Sequence, residues 1–224
     1  MVTSPHTFAT EAGLQVLGEG GNAVEAAIAM TFCLSVTSPH FCGLGGDLLM
    51  LIADAGGRVK SLSGIGQATQ SCPRFNGPVP VRGPLSMLTS AAAVDALGQA
   101  CTISASEMEG RMSWQSLLEP AIRLAAEGFP ISNSERFWLE FRKSESMDLP
   151  GVYPARLVNG GVPPEGCLRR EPVLRDLIAR GHRISRVPAN TPLMGHPGAL
   201  LIDPATGSMT GAHDPRSDGR ALGL

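Results

Sequence analysis

Aromatic residues and net charge are both scarce in this sequence. Only 4% of its 224 residues are aromatic, and its formal net charge is −2. A nearly neutral chain offers no broad basic surface of the kind that binds nucleic acids or anionic membranes, so neither partner is expected. Glycine, by contrast, occurs 27 times, and hydrophobic residues make up 43% of the chain. This composition supports a substantial core and is typical of one or two globular domains with closely packed helices.

Motifs that would hold a metal, a cofactor or a disulfide framework are also missing. The five cysteines are scattered without a CxxC pair, and no two of the five histidines lie three or four residues apart. These spacings do not match the sequence patterns of zinc sites. No phosphate-binding loop occurs, and the first glycine run precedes a predicted strand, the wrong order for a dinucleotide-binding turn. No metal or cofactor is therefore expected.

Segments that would direct the chain to a membrane are not found either. The longest apolar stretch, 23–36, contains Glu25 and is too short to span a bilayer. No basic segment followed by an apolar one marks a signal peptide in the chain as given. The cysteines are scattered and odd in number, which favours a reducing compartment, so a cytoplasmic location is expected.

Two glycine-rich runs are the most distinctive local feature. The first, 42–47, precedes the apolar run Leu48 to Ala53, and the second occupies 63–67. Glycines this dense allow backbone to come close to backbone or to a ligand. The residues alone leave two interpretations open: a helix-to-strand connection that needs small residues, or the wall of a substrate pocket.

Helical and strand patterns alternate along the chain in two rounds. Helices are predicted where apolar residues recur every three to four positions, and strands where short apolar runs lie between turn residues. The predicted helices cover 7–17, 23–34, 85–97, 113–126, 132–144 and 172–180, and the predicted strands cover 48–53, 58–62, 182–187, 199–202 and 208–212. The order of helices, hairpin, helices, hairpin indicates the α+β class with antiparallel strands.

Four finer expectations depend on single segments. Asn22 and Glu25 should form a capping box at the start of the second helix. Residues 48–53 lack polar alternation, which suits a strand buried on both faces. Pro120 should break or kink the fourth helix. The aromatic residues of the fifth helix are expected in the core: Phe137, Trp138 and Phe141.

An ordered series of motifs runs through the first part of the chain, to about residue 170. The series includes Val2-Thr3-Ser4-Pro5-His6, Gly20-Gly21-Asn22-Ala23-Val24-Glu25-Ala26-Ala27, Pro39-His40, Gly43-Leu44-Gly45-Gly46 and Glu127-Gly128-Phe129-Pro130. In this order the motifs resemble the beginning of the gamma-glutamyltranspeptidase family. The end of the chain resembles a distant part of the same family, the end of its small subunit, through Gly195-His196, Gly211-Ala212 and Asp214-Pro215-Arg216-Ser217-Asp218-Gly219.

The resemblance implies an Ntn-hydrolase fold, an αββα sandwich of which this chain would hold only a part. Residues 1–170 correspond to the N-terminal part of the large subunit and 171–224 to the C-terminal part of the small subunit, together one incomplete domain. Family members hydrolyse amide or γ-glutamyl bonds, or transfer the acyl group, with the N-terminal Thr of the small subunit as nucleophile. The segment that carries this Thr is missing between the two matched parts. No catalytic residue is therefore assigned, and the chain alone is expected to be inactive.

The resemblance also implies a substrate site at the two glycine-rich runs. The residues assigned to it are Gly43, Gly45, Gly46, Ile65 and Gly66. Transpeptidases of the family carry an Arg at the position of Ile65, where its guanidinium grips the glutamyl α-carboxylate. Because Ile65 cannot make this contact, the chain is more similar to the amidohydrolase branch, such as oxamate amidohydrolase-like members. The expected substrate is a small amide or a γ-glutamyl-type compound.

Two other hypotheses remain open. The chain could be a non-catalytic deletion product that associates with a complete subunit, or it could bind small molecules through the glycine-rich pocket. Loss of central strands would leave sheet edges unpaired and apolar faces exposed. Association with a second copy or with another chain through strand edges is therefore expected, with an exposed edge near 48–53.

Overall fold

The chain divides into two compact units. Unit 1 comprises Met1–Gly43 and Arg111–Arg183, and unit 2 comprises Leu44–Gly110 and Ile184–Leu224. The computed structural model describes residues 1–68, 74–81, 83, 86–146, 157, 161–171, 198–202 and 209–213. The two units are defined by packing, whereas the predicted division into 1–170 and 171–224 concerns correspondence to two subunits. That correspondence stays a prediction.

Helices and antiparallel strands make up the described residues, which confirms the α+β class. In chain order the elements are α1 (Thr7–Gly18), α2 (Ala23–Thr37), β1 (Leu48–Ala53), β2 (Val59–Gly64), α3 (Ala93–Glu107), α4 (Trp114–Glu127), β3 (Phe129–Pro130), α5 (Asn133–Phe141), α6 (Lys143–Ser146), β4 (Leu168–Arg169), β5 (Gly198–Ile202) and β6 (Met209–His213). One sheet has the order β1-β2-β5-β6, and β3 pairs with β4. The predicted helix 172–180 and the predicted strand 182–187 lie outside the described residues.

The core of unit 1 forms where α2 packs against α1 and α4. Most residues of α2 are buried, as its uniformly apolar sequence predicts. Gly13 lets α1 approach α2 closely, because a Cβ at this position would lie 2.4 Å from the sulfur of Met30. On the α4 side, the edge of one ring meets the face of the other between Phe32 and Trp114, with centroids 5.4 Å apart.

Pro120, for which the sequence predicts a break or a kink, lies inside an uninterrupted α4. A proline in a helix interior has no N–H to donate to the carbonyl four residues earlier, so the helix loses one hydrogen bond. The neighbouring side chains Leu117, Leu118 and Ala121 are all buried. Their burial against the core outweighs the lost bond, so the predicted break does not occur, whereas the kink stays a prediction.

The capping box at the start of α2 is confirmed. The Asn22 side chain accepts hydrogen bonds from the backbone N–H groups of Val24 and Glu25, each at 3.0 Å. The Glu25 carboxylate accepts from the Asn22 N–H at 2.8 Å through Oε2 and from the Met112 N–H at 2.8 Å through Oε1. Glu25 is 1% exposed. One buried carboxylate therefore caps α2 and holds the segment that leads into α4.

Substitution of Glu25 tests this double role. We expect Glu25→Ala to lower the free energy of unfolding by about 2–3 kcal/mol, because two buried backbone donors lose a charged acceptor. Glu25→Gln keeps one acceptor oxygen and should cost roughly half as much. Urea denaturation followed by circular dichroism measures both losses. Equal stability of Glu25→Ala and the unsubstituted chain would contradict the assignment.

Unit 2 is built on the hairpin of β1 and β2. The two strands pair without interruption from Leu48 opposite Gly64 to Ala53 opposite Val59. At the turn, the Asp54 N–H donates to the Arg58 carbonyl at 3.0 Å, and the two side chains form an ion pair at 2.7 Å. The strands match their predicted positions within two residues at each end, as do β5 and β6.

The prediction that β1 is buried on both faces is wrong. Ile52 is 6% exposed, whereas Leu49 and Leu51 are 72% and 78% exposed. Successive residues of a strand point to opposite faces, and α3 covers only one of them. The helix lies close to that face, because a Cβ on Gly64 would come within 2.4 Å of the Ala96 Cβ. In the part of the chain that the structure describes, nothing buries the other face.

The helix predicted at 85–97 is present as α3, but its predicted bounds are wrong, since α3 begins only at Ala93 and continues to Glu107. The preceding residues are held by the second glycine run: the Ser90 N–H donates to the Gln67 carbonyl at 2.9 Å. Thr89 forms an isolated antiparallel bridge with Ala68. These long-range bonds compete with helix formation, and periodicity along the chain does not reveal them.

The aromatic residues of α5 do not lie in the core as predicted. Phe137 and Phe141 are 59% and 63% exposed. Their rings stack on each other with centroids 5.9 Å apart, and the Trp138 ring lies nearly perpendicular to both. The buried residue of α5 is instead Glu135, which pairs with Arg169 of β4. Glu135 faces inward because Arg169, from a segment distant in the chain, supplies the cation that pairs with it.

Candidate functional site

The five residues assigned to a substrate site fall on both sides of the boundary between the two units. Gly43 is the last residue of its segment in unit 1, whereas Gly45, Gly46, Ile65 and Gly66 belong to unit 2. The four residues of unit 2 lie just before the start of β1 and just after the end of β2. Because these strand ends are paired, the two glycine runs are neighbours in the hairpin.

Backbone hydrogen bonds join the first glycine run to the start of α3. The Gly46 carbonyl accepts from the N–H groups of Ala92 and Ala93 at 3.2 and 3.0 Å. No side chain caps α3 at this end. Gly46 therefore satisfies helix donors that a capping side chain would otherwise take, and it fixes where α3 begins.

Asp47 connects the two glycine runs. One oxygen of its carboxylate accepts from the Gly66 N–H at 3.5 Å, the long limit for such a bond. The contact lies between residues nineteen positions apart in the chain. Asp47 was not among the residues assigned from the sequence, and its position at the end of the first glycine run was the only available signal.

Gly64 and Gly66 are glycines because their neighbours leave no room for a side chain. A Cβ on Gly66 would lie 1.6 Å from the Ser90 carbonyl oxygen, and one on Gly64 would lie 3.1 Å from the Ala92 carbonyl oxygen. Both contacts are with backbone of the segment that leads into α3. For these two positions of the second glycine run, the structure supports the interpretation that the connection needs small residues.

Gly43 and Gly45 have a different environment. A Cβ on either would meet no atom within 4 Å, and neither residue has a positive φ. Neither packing nor backbone conformation therefore requires glycine at these positions. A wall that faces a ligand would explain them, and so the pocket interpretation stays open for the first run.

Ile65 projects between two buried glycines and is 46% exposed. Its side chain offers apolar surface and no hydrogen-bond donor. The position therefore cannot form the paired N–H contacts by which an arginine holds a carboxylate.

A hydroxyl and an imidazole meet elsewhere, in unit 1. His40 Nε2 and Ser134 Oγ lie 3.1 Å apart, and Ser134 is in the first turn of α5. The two residues are separated by 94 positions in the chain, so no local spacing could have predicted the contact. This hydrogen bond holds the segment after α2 against α5.

Two thiols of unit 1, those of Cys33 and Cys42, are poor nucleophiles. Burial raises the pKa of Cys33 to about 12 and also raises the pKa of Cys42, which adjoins the first glycine run. A raised pKa leaves little of the reactive thiolate near neutral pH. Among the residues that the structure describes, no three His, Cys, Asp or Glu side chains are grouped so that they could hold a metal ion.

Comparison with solved structures defines the class of fold. The chain aligns with the crystal structure of Helicobacter pylori gamma-glutamyltranspeptidase with a TM-score of 0.69 and 23% identity, over 80% of this chain and 52% of that one. At this identity the likeness concerns the fold, which is that of an Ntn hydrolase. The family model described as gamma-glutamyltranspeptidase also matches residues 9–172. The chain therefore belongs to the gamma-glutamyltranspeptidase family, as its motifs predict.

Two curated relatives give the sequence similarity. The glutathione hydrolase-like YwrD proenzyme of Bacillus subtilis is 38% identical over 59% of this chain and 25% of its own length. The oxamate amidohydrolase proenzyme of Klebsiella pneumoniae is 34% identical over 78% of this chain and 34% of its own length. The matched part of this chain thus spans about a quarter to a third of these relatives.

None of the described helices combines the length and apolar character that crossing a membrane requires.

Proposed function

We propose that this chain carries one wall of the acyl-binding site of a gamma-glutamyltranspeptidase-like amide hydrolase, without the nucleophile that completes the reaction. The observation that carries the proposal is the arrangement of the two glycine runs. Gly46 is hydrogen-bonded to the start of α3, and Gly66 packs against the segment before it. A Cβ on Gly45, by contrast, would meet no atom within 4 Å, and Ile65 is 46% exposed. An anchored backbone beside unfilled space is what a small acyl group requires of its binding site.

The substrate that fits this wall is a small amide that has no glutamyl α-carboxylate, because Ile65 cannot bind one. Ile65 supplies an apolar contact where an arginine would supply a charged guanidinium with paired N–H donors. One relative is named for oxamate hydrolysis and another for a likeness to glutathione hydrolases. The apolar Ile65 favours the first type of substrate.

In the family, the acyl group is transferred to the N-terminal Thr of the small subunit, whose own α-amine accepts the hydroxyl proton. We place the loss of this nucleophile segment between Cys167 and Arg180. Thr3, Thr7 and Thr10 stand in the region that resembles the start of the large subunit and do not match the nucleophile's context. The role left to this chain is to bind and orient the acyl group.

A non-catalytic role is the second candidate. The exposed Leu49 and Leu51 of β1 favour a chain that contacts another polypeptide. The coding sequence around Cys167 to Arg180 separates the two candidates. An intervening reading frame with a self-cleavage site before a Thr would support the enzyme, and uninterrupted coding would support the non-catalytic chain.

Ligand binding by the full chain tests the proposed wall. Nuclear magnetic resonance titration with oxamate should shift the amide signals of 44–47 and 64–67, while a γ-glutamyl anilide should shift them less. Ile65→Arg should improve binding of the γ-glutamyl compound by about tenfold. Ile65→Lys is the matched control, because it adds the charge without the paired donors and should improve binding less. Shifts confined to other parts of the chain, for both ligands, would contradict the proposal.

A further inference from the structure

The outer edge of β1 presents an uninterrupted row of backbone groups. At the hairpin turn Asp54 is bonded to Arg58, so the even-numbered residues of β1 direct their N–H and C=O groups toward β2. The odd-numbered residues Leu49, Leu51 and Ala53 direct theirs away from β2. Among the described strands, β1 has no neighbour on that side.

Nothing in β1 protects this edge from pairing with another chain. Edge strands are commonly shielded by charged side chains, by proline or by a bulge. The six residues from Leu48 to Ala53 include neither a charge nor a proline, and the pairing with β2 has no bulge. The side chains of Leu49 and Leu51 are also 72% and 78% exposed.

The strand is complementary to itself when a second copy runs antiparallel about a two-fold axis through Met50. Leu49 then lies opposite Leu51 of the second copy, and both residues use N–H and C=O groups that face outward. Asp47 lies opposite Ala53, so no two carboxylates face each other. A shift by one residue would set Asp47 against Asp54 and would pair outward-facing residues with inward-facing ones.

We propose that the outer edge of β1 is a self-association site, at which two copies of this chain pair through antiparallel β1 strands in the register centred on Met50. The pairing joins two sheets into one continuous sheet and brings the exposed leucines of both copies together. Six residues per strand form a contact well below the roughly 1,200 Å² of a stable interface. The dimer is therefore weak and depends on protein concentration.

Amide hydrogen exchange of the unsubstituted chain tests the register. The experiment is run under reducing conditions over a series of protein concentrations, with sedimentation velocity on the same samples. The amides of Leu49 and Leu51 should exchange more slowly as the dimer forms, whereas those of Met50 and Ile52 should be protected at every concentration. A chain that stays monomeric at the highest concentration, or unchanged exchange at Leu49 and Leu51 in the dimer, would overturn the proposal.

A pair of lysine substitutions tests the surface. Leu51→Lys should weaken dimerisation by about tenfold or more, because the charge loses water when the strands pair. Met87→Lys is the control, since Met87 is 75% exposed outside β1 and the change in charge is the same. It should leave dimerisation unchanged. If Leu51→Lys and Met87→Lys weakened dimerisation equally, the association would be unspecific and the proposal would be overturned.

Discussion

Gly66→Ala is expected to destabilise unit 2 by about 3 kcal/mol or more, or to prevent its folding. The added Cβ would lie 1.6 Å from the Ser90 carbonyl oxygen and 2.5 Å from its carbon. Ser90 cannot simply move away, because its N–H is bonded to the Gln67 carbonyl at 2.9 Å. The substitution therefore separates β2 from the segment that leads into α3. Urea denaturation with circular dichroism measures the loss.

Gly45→Ala is the matched control for this experiment. The same added methyl group meets no atom within 4 Å, and the backbone of Gly45 lies outside the positive-φ region. Its stability should remain within about 0.5 kcal/mol of the unsubstituted chain. Equal stability of Gly66→Ala and Gly45→Ala would contradict the close packing at Gly66.

Arg169→Met is expected to lower the free energy of unfolding by about 3–5 kcal/mol. The guanidinium of Arg169 pairs with Glu135 through Nη1 and with Glu171 at 2.5 Å through Nη2. Glu135 is 1% exposed and Arg169 is 8% exposed. Removal of the cation would leave two carboxylates together at a site with little access to water. Thermal and urea unfolding both report this loss.

The double variant Glu135→Met, Arg169→Met separates the charge effect from a packing effect. Two apolar side chains of similar length remove the Glu135–Arg169 pair together and leave only the Glu171 carboxylate, which is 14% exposed, so the double variant should recover much of the stability lost in Arg169→Met. A double variant as unstable as the single one would contradict a dominant electrostatic role. In that case the packing of the Arg169 side chain would account for the loss.

The elements that periodicity predicts well are those stabilised by their own neighbours in the chain. α1 and α2 follow from helical spacing, and the Asn22 cap follows from a local motif. The hairpin of β1 and β2 follows from two short strands around a turn. Each of these features depends on residues within a few positions, which a single sequence displays directly.

The elements that periodicity misses depend on distant partners. α3 begins late because Gly46 and Gln67 bond to the residues before and at its start. The inward side of α5 carries Glu135 because Arg169, 34 residues away, supplies its counter-charge. The aromatic pattern of α5 was consistent with a core face, but a buried ion pair occupies that position. None of these partnerships has a local sequence signal.

The candidate site shows the same division between local and distant information. The glycine runs are visible in the sequence, but their density does not tell which glycines are required by packing. Gly64 and Gly66 meet the backbone before α3, whereas Gly43 and Gly45 face open space. The family resemblance predicts that the runs belong to a binding site, and this assignment stays a prediction. The structure adds which of the glycines have unoccupied space where a side chain would lie.

Intact mass together with an amide-hydrolysis assay on the purified 224-residue chain tests most directly whether the nucleophile is absent. Oxamate and a γ-glutamyl anilide serve as substrates. We expect a single uncleaved species and no turnover of either substrate, because the proposed function gives this chain a wall of the acyl site without the nucleophile. Turnover by the uncleaved chain, or self-cleavage that exposes an N-terminal Thr, would contradict it.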